Sequence, residues 1–271
     1  RSVEQTISLR DDVVLNVGTG RKWALHCYQE RVRDGAEDME LATEGYPQDA
    51  ENLAWRAAEV FFDRTGHDPK GLEIFINKRI PMQAGLGGGS ADAAAILRAL
   101  NRHYGAPLSI GALSELGFSI GADVPFCVMC GTALVEGRGE RITKLPDVPE
   151  IFFVVFKPDF SISTPALFAR ADGVTISERP DTDAMLDAIE RGDADALCAH
   201  VRNVFEQALE GEQRERIETI KRDLLAYGAK TSAMTGSGSV VFGLFSDKAA
   251  CRRACEALQG ECVKTFCAEF V

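Results

Sequence analysis

Apolar side chains recur along this chain in two rhythms. In Leu72-Glu73-Ile74-Phe75-Ile76-Asn77-Lys78-Arg79-Ile80 they fall on alternate positions, the period of a half-buried strand. From residue 49 to 62, Leu53, Ala57, Val60 and Phe61 form a stripe at helical spacing behind Asp49, a candidate N-cap. Ser109 stands ahead of Ile110, Leu113 and Leu116 as the cap of another helix. The run Ile151 to Phe156 is apolar throughout, which predicts a strand buried on both faces. Beyond it the pattern predicts helices at 182–191, 193–209 and 212–227, strands at 240–245 and 263–270, and a helix at 247–258 between them. Phe126 to Cys130 reads as a further apolar strand, and 136–150 as turn-rich. The charged run Glu30 to Asp38, inside the stretch Gly18 to Glu44, reads as a solvated hairpin or loop. Periodicity alone thus gives mixed α and β, with a domain boundary near 147 that divides the chain into 1–147 and 148–271.

Between the strand ending at Ile80 and an alanine-rich helix lies Pro81-Met82-Gln83-Ala84-Gly85-Leu86-Gly87-Gly88-Gly89-Ser90-Ala91. A tight turn needs fewer glycines than this. Glycine permits positive φ and lets a ligand approach the backbone, and a helix start presents amides without acceptors to an anion. The segment therefore reads as a phosphate cradle over Gly85, Leu86, Gly87, Gly88, Gly89, Ser90 and Ala91, with Ser90 capping the helix. A side chain at Gly88 is expected to stand where phosphate must approach. The loop is not a Walker A motif, because no lysine precedes Ser90, and a Rossmann fingerprint would need glycine where Ser90 stands.

Two further loops carry candidate chemistry. In Gly121-Ala122-Asp123-Val124-Pro125-Phe126, Pro125 restricts the backbone and biases Val124 toward extended geometry, fixing the Asp123 carboxylate at a turn. An Asx turn or a helix cap explains the same residues equally well. Met234-Thr235-Gly236-Ser237-Gly238-Ser239 precedes the last-but-one predicted strand, a weak signal alone.

Composition narrows the partners. A formal net charge of -11 over 271 residues argues against a nucleic-acid binder, and no apolar run reaches the length of a membrane helix. The eight cysteines are scattered and do not form the framework of a small secreted domain. Cys127-Val128-Met129-Cys130 reads as buried thiols, and a reducing cytoplasm fits best. His26, His67, His103 and His200 share no spacing that suggests a site; His26 reads as a partly exposed strand residue.

Taken in order, Pro81 to Ala95, Gly121 to Phe126, Lys157 to Phe168 and Met234 to Gly238 resemble the motifs of the GHMP small-molecule kinases. Within that family the added glycines and Gly-Ala-Asp-Val-Pro-Phe are similar to the branch acting on 4-diphosphocytidyl-2-C-methyl-D-erythritol. The resemblance implies an α+β fold of two lobes, the first like domain 2 of ribosomal protein S5 and the second ferredoxin-like. It implies ATP-dependent transfer of phosphate to the 2-hydroxyl of that cytidine diphosphate sugar alcohol, in the non-mevalonate isoprenoid pathway. Asp123 is then the catalytic base, Ser90 or a nearby carboxylate helps to hold Mg²⁺, and Thr164, Phe168, Gly236, Ser237 and Gly238 face substrate, with Phe168 stacked on cytosine. Lys157 could approach a phosphate, but a lysine at a strand end is usually just solvated. The resemblance also implies a Lys-Leu-Asn-Leu strand and an Asp-Gly-Tyr-His motif ahead of Arg1. The sequence is therefore expected to be a piece lacking that lysine, which puts turnover of the piece itself in question. A kinase for another small alcohol, of homoserine or mevalonate type, and a nucleotide-binding relic without turnover remain as alternatives.

Overall fold

A computed structural model describes residues 1–33, 36–41, 46–259 and 264–271. The chain forms two units. One comprises Arg1–Glu4, Arg10–Met82 and Gly87–Lys144; the other comprises Gln5–Leu9, Gln83–Leu86 and Leu145–Val271. The glycine loop is thus divided, with Gly85 and Leu86 in the second unit and Gly87 onward in the first. No helix among the described residues is long and apolar enough to cross a membrane.

In the first unit, strands β2 (Asp12–Val17), β5 (Leu72–Lys78), β3 (Ala24–Arg33) and β4 (Ala36–Leu41) form a sheet in that order. The β3–β5 pair is parallel, with Ile74 opposite Leu25 and Ile76 opposite Cys27, and the other two pairs are antiparallel. The charged stretch accordingly pairs β3 with β4 antiparallel; residues 34 and 35 lie outside the described residues. Along β5 burial alternates: Leu72, Ile74, Ile76 and Lys78 point inward, while Glu73, Phe75 and Asn77 are half-buried. Helices α1 (Leu53–Thr65) and α2 (Gly88–His103) share a core with that inner face, built from Ala54, Ala57, Phe61, Ala93, Ala94, Ile96 and Leu97. Alanine at those positions lets the two helices approach closely. The helices α3 (Ile110–Phe118) and α4 (Val124–Met129) add Leu113, Val124 and Val128. A second sheet joins β1 (Ser2–Gln5), β6 (Thr132–Glu136) and β7 (Arg141–Lys144) in the order β1-β6-β7.

The second unit holds α5 (Thr164–Gly173), α6 (Thr182–Arg191), α7 (Ala194–His200), α8 (Gly211–Ala226) and α9 (Lys248–Leu258). Its sheet is antiparallel: β11 (Lys264–Glu269), β8 (Phe152–Lys157), β10 (Val241–Phe245) and β9 (Thr231–Met234), in that order. Counted within the unit, the order is 4-1-3-2 with a β-α-β-β-α-β succession, the ferredoxin-like arrangement. Val154 and Phe156 of β8 share a core with Ile217, Ile220 and Leu224 of α8 and with Cys251, Ala254 and Leu258 of α9. Gly243 matters here, because a Cβ on it would come within 3.2 Å of Leu224 Cβ and of Ala229 Cβ.

Several local expectations are corrected. Asp49 does not cap α1; its carboxylate accepts from Glu51 N (3.0 Å), while Asn52 Oδ1 accepts from Ala54 N (2.9 Å) and starts the helix there. Phe126 to Cys130 is not a strand: Val124 is helical and Pro125 sits in the first turn of α4, where its fixed φ suits a helix start. The helix expected over 193–209 breaks at Val201, whose ψ is 118°, and a 3₁₀ turn, Val204–Ala208, follows. The segment 136–150 contains β7, and α5 was not anticipated, although Ser163-Thr164-Pro165 is a helix-start signal. Ser109 does cap α3, accepting from Ala112 N at 3.2 Å.

Candidate active site

The cradle begins where β5 ends. Gly87 occupies the N-cap of α2 at φ 65°, and no side chain caps the helix. The first helical bond runs from Ala91 N to Gly87 O (2.8 Å), so the amides of Gly88, Gly89 and Ser90 precede it and have no acceptor within the helix. Beside Gly87 the space is open. Nothing lies within 4 Å of a Cβ built on Gly87, and for Gly89 the nearest atom is Leu53 Cδ1 at 3.6 Å. Gly88 differs: its Cβ would stand 2.9 Å from Ile80 Cγ2 and 3.2 Å from Ile80 Cβ. This corrects the expectation from sequence, since Gly88 faces the protein and lets the helix start sit on the strand exit. Ser90 is not the cap; it lies in the first turn and is buried.

Under this helix start lies a cluster that sequence reasoning missed. Lys78, 5% exposed, pairs with Asp11 and with Asp92, at 2.6 Å from Asp92 Oδ2. Asp11 Oδ1 also accepts from Arg79 N (2.5 Å) and Ile80 N (2.8 Å). Burial works to lower Lys78, yet the charges of Asp92 and Asp11 and their hydrogen bonds lift it above its ordinary value. Asp92 is pushed up to about 7, mainly by burial. The ring of Tyr46 faces the ammonium at 5.8 Å.

Asp123 precedes α4 with φ -90° and ψ -11°, and its side chain makes no capping bond. Its backbone is held on both sides: its carbonyl accepts from Cys127 N (3.2 Å), and Gly121 O accepts from Val124 N (3.2 Å). Gly139, at φ 113°, lies so near that a Cβ on it would meet Ala122 O at 2.1 Å, so the β6–β7 turn backs the loop. Burial raises the Asp123 carboxyl above the usual carboxylate range. Glu4 of β1 is pushed up to about 7, first by burial and then by the charge of Asp123, which makes the two acids electrostatic neighbours. The Cys127 thiol goes up to about 12, for burial first and Asp123 second, so it stays protonated at neutral pH.

The Glu4 carboxyl holds its proton more tightly folded than unfolded, so its stabilising contribution is full below pH 4.5 and disappears as pH rises through about 7. Glu4→Gln is therefore expected to be more stable than the parent by roughly 2–3 kcal/mol at about pH 8. The gain should vanish near pH 4.5. Urea unfolding at the two pH values measures this, and an equal difference at both would contradict it.

In the second unit Thr164 Oγ1 and Ser237 Oγ share a hydrogen bond of 2.6 Å. Phe168 is 52% exposed and meets Phe205 edge-on, with centroids 4.7 Å apart. Gly236 and Gly238 both have positive φ, and a Cβ on Gly238 would lie 2.4 Å from Met234 Sδ. Gly85 belongs to the same packing, its Cβ position being 2.3 Å from Thr235 O. Asn203 ties the loop down, donating from Nδ2 to Met234 O (2.7 Å) and Gly236 O (2.8 Å) while Oδ1 accepts from Phe205 N (2.9 Å). Asn203→Ala is expected to destabilise the chain by about 2–3 kcal/mol, read as a lower urea midpoint with an unchanged m-value. An unchanged midpoint would show that the three bonds add nothing to stability. Lys157 is buried rather than solvated: it donates to Pro158 O (2.8 Å) and Ser239 Oγ (3.0 Å), and burial lowers it.

The chain matches the GHMP kinases N terminal domain over residues 52–131 and the GHMP kinases C terminal domain over 185–264. It is 38% identical over 259 residues to 4-diphosphocytidyl-2-C-methyl-D-erythritol kinase of Caldicellulosiruptor saccharolyticus, covering 96% of this chain and 84% of that protein. With the enzyme of that name from Listeria monocytogenes it shares 39% over 240 residues, 88% of this chain and 80% of the other. A crystal structure of 4-(cytidine 5'-diphospho)-2C-methyl-D-erythritol kinase superposes with TM-score 0.76 at 30% identity, covering 99% of this chain and 88% of that one. A homoserine kinase from Cytophaga hutchinsonii superposes with TM-score 0.77 at 17% identity, with 99% and 89% coverage, and so speaks for the fold alone. With both domains matched and relatives of this identity along most of its length, the chain belongs to the GHMP kinase family.

Proposed function

We propose that the chain phosphorylates the 2-hydroxyl of 4-diphosphocytidyl-2-C-methyl-D-erythritol with ATP, a step of non-mevalonate isoprenoid precursor synthesis in the cytoplasm. The substrate rests chiefly on one observation, the 38% identity over 96% of the chain to an enzyme of that name.

The uncapped amides of Gly88, Gly89 and Ser90 and the open space over Gly87 fit a phosphate chain. The same helix start adds the positive end of its dipole. Gly85, Leu86 and Ala91 complete the loop. Ser90 offers one hydroxyl oxygen, which suits Mg²⁺, a hard cation that keeps most of its waters and takes few protein ligands. When bound, that ion would neutralise charge on the phosphate oxygens. Asp123 accepts the proton of the acceptor hydroxyl, and its raised carboxyl makes it a better base than an ordinary aspartate. The backbone amides hold charge that grows during transfer without reorganising. Within the second unit, Thr164, Ser237 and the Gly236 and Gly238 backbone are assigned to substrate, and the exposed ring of Phe168 to the cytosine face.

The chain is to be incubated with Mg²⁺-ATP and, separately, the cytidine diphosphate sugar alcohol, homoserine and mevalonate, with products identified by mass spectrometry. Phosphorylation confined to the first supports the reading. Transfer to either of the others, or ATP binding with no transfer to any, overturns it.

A further inference from the structure

We propose that Lys78 is a positioning residue for the phosphate cradle: its buried ammonium bridges two carboxyl groups beneath the start of α2 and ties that helix to the strand exit. This rests on the reading that the cradle holds the phosphates of ATP.

Three segments converge on one nitrogen. Asp92 comes from the second turn of α2, Asp11 from the residue before β2, and Lys78 from the last position of β5. Asp11 in turn holds the amides of Arg79 and Ile80 as the chain leaves the strand. The ammonium lies close to the cradle, 3.6 Å from where a Cβ on Gly88 would be. It does not serve phosphate directly, since it is 5% exposed and committed to both carboxylates. Its effect passes through the helix. Without it, the Asp11–Asp92 pair would keep uncompensated negative charge under the amides that receive an anion, Asp92 would lose the cation that holds its raised carboxyl down, and the start of α2 would lose its tether to β5. The glycine loop carries no lysine of its own next to Ser90, so the charge balance of the site depends on one that arrives from below.

The test is titration of the full chain with ATP and, separately, with adenosine, which lacks phosphates. Lys78→Met keeps the length of the side chain and removes its charge. It is expected to weaken ATP about thirtyfold or more while adenosine affinity stays within about twofold. Asp92→Asn placed in the same chain removes Asp92's share of the stranded charge and offers Asp11 an amide donor, and should restore at least about tenfold of the lost ATP affinity. That rescue would not follow if Lys78 merely filled space. Circular dichroism checks that each variant is folded, and if Lys78→Met alone does not fold, the double variant and Asp92→Asn carry the comparison. An ATP affinity for Lys78→Met within about threefold of the parent, equal losses of ATP and adenosine, or no rescue by Asp92→Asn overturns the inference alone. An unchanged chain that fails to bind ATP overturns the cradle and the inference with it.

Discussion

Asp123→Asn is expected to lower turnover by about a thousandfold or more while ATP affinity stays within about twofold. Asparagine has the same shape but cannot take up the hydroxyl proton. The carboxylate does not cap α4, and the backbone at φ -90° and ψ -11° suits either residue, so the helix has no reason to weaken. ATP affinity is spared because the proposed role is on the acceptor, not on the phosphate chain. The pH profile provides a second reading. Burial raises Asp123, so the acidic limb of kcat/KM should lie above the ordinary carboxylate range, with rate rising as the base ionises. The limb should vanish in the variant's residual activity. Turnover equal to the parent's would remove Asp123 from the chemistry.

Gly88→Val is expected to weaken ATP by about a hundredfold and to cost about 1–3 kcal/mol of stability. The added Cβ would press on Ile80 at 2.9 Å, and Ile80 is a stiff, buried, β-branched side chain that has little room to yield. Valine's outer methyls reach further, toward Lys78. The first turn of α2 must then lift from the strand exit, taking with it the three amides assigned to phosphate. Gly89→Ala is the control, because its Cβ would meet only Leu53 Cδ1 at 3.6 Å, and it should perturb stability much less. Calorimetric ATP titration and thermal melting of both variants provide the measurement. Parent-like ATP affinity in Gly88→Val would mean that the amides of this turn do not hold the phosphates.

The strand, the glycine loop and most of the C-terminal helices were legible in the sequence because each carries its own local signal: alternation in β5, consecutive glycines, and capping residues such as Ser109. Lys78 was not read as functional, yet the same alternation that reveals β5 puts Lys78 on the side of Ile74 and Ile76. A charge on a buried face was the available clue. Its partners, 67 and 14 residues away, are tertiary and leave no local mark. The α4 error has a different source. A six-residue apolar run has no distinguishable period, and only Pro125 near its start argued for a helix. Gly88 shows the limit of motif reasoning, for the loop was recognised while the direction each glycine faces was not.

The ferredoxin-like unit is stitched by the two extremes of the sequence. Ser8 N donates to Glu269 O (2.9 Å), Glu269 N to Ser8 Oγ (3.0 Å) across 261 positions, and Val271 N to Thr6 O (3.1 Å). Closing this seam joins residues 261 positions apart, so it is a late, slow event in folding, set by loop entropy.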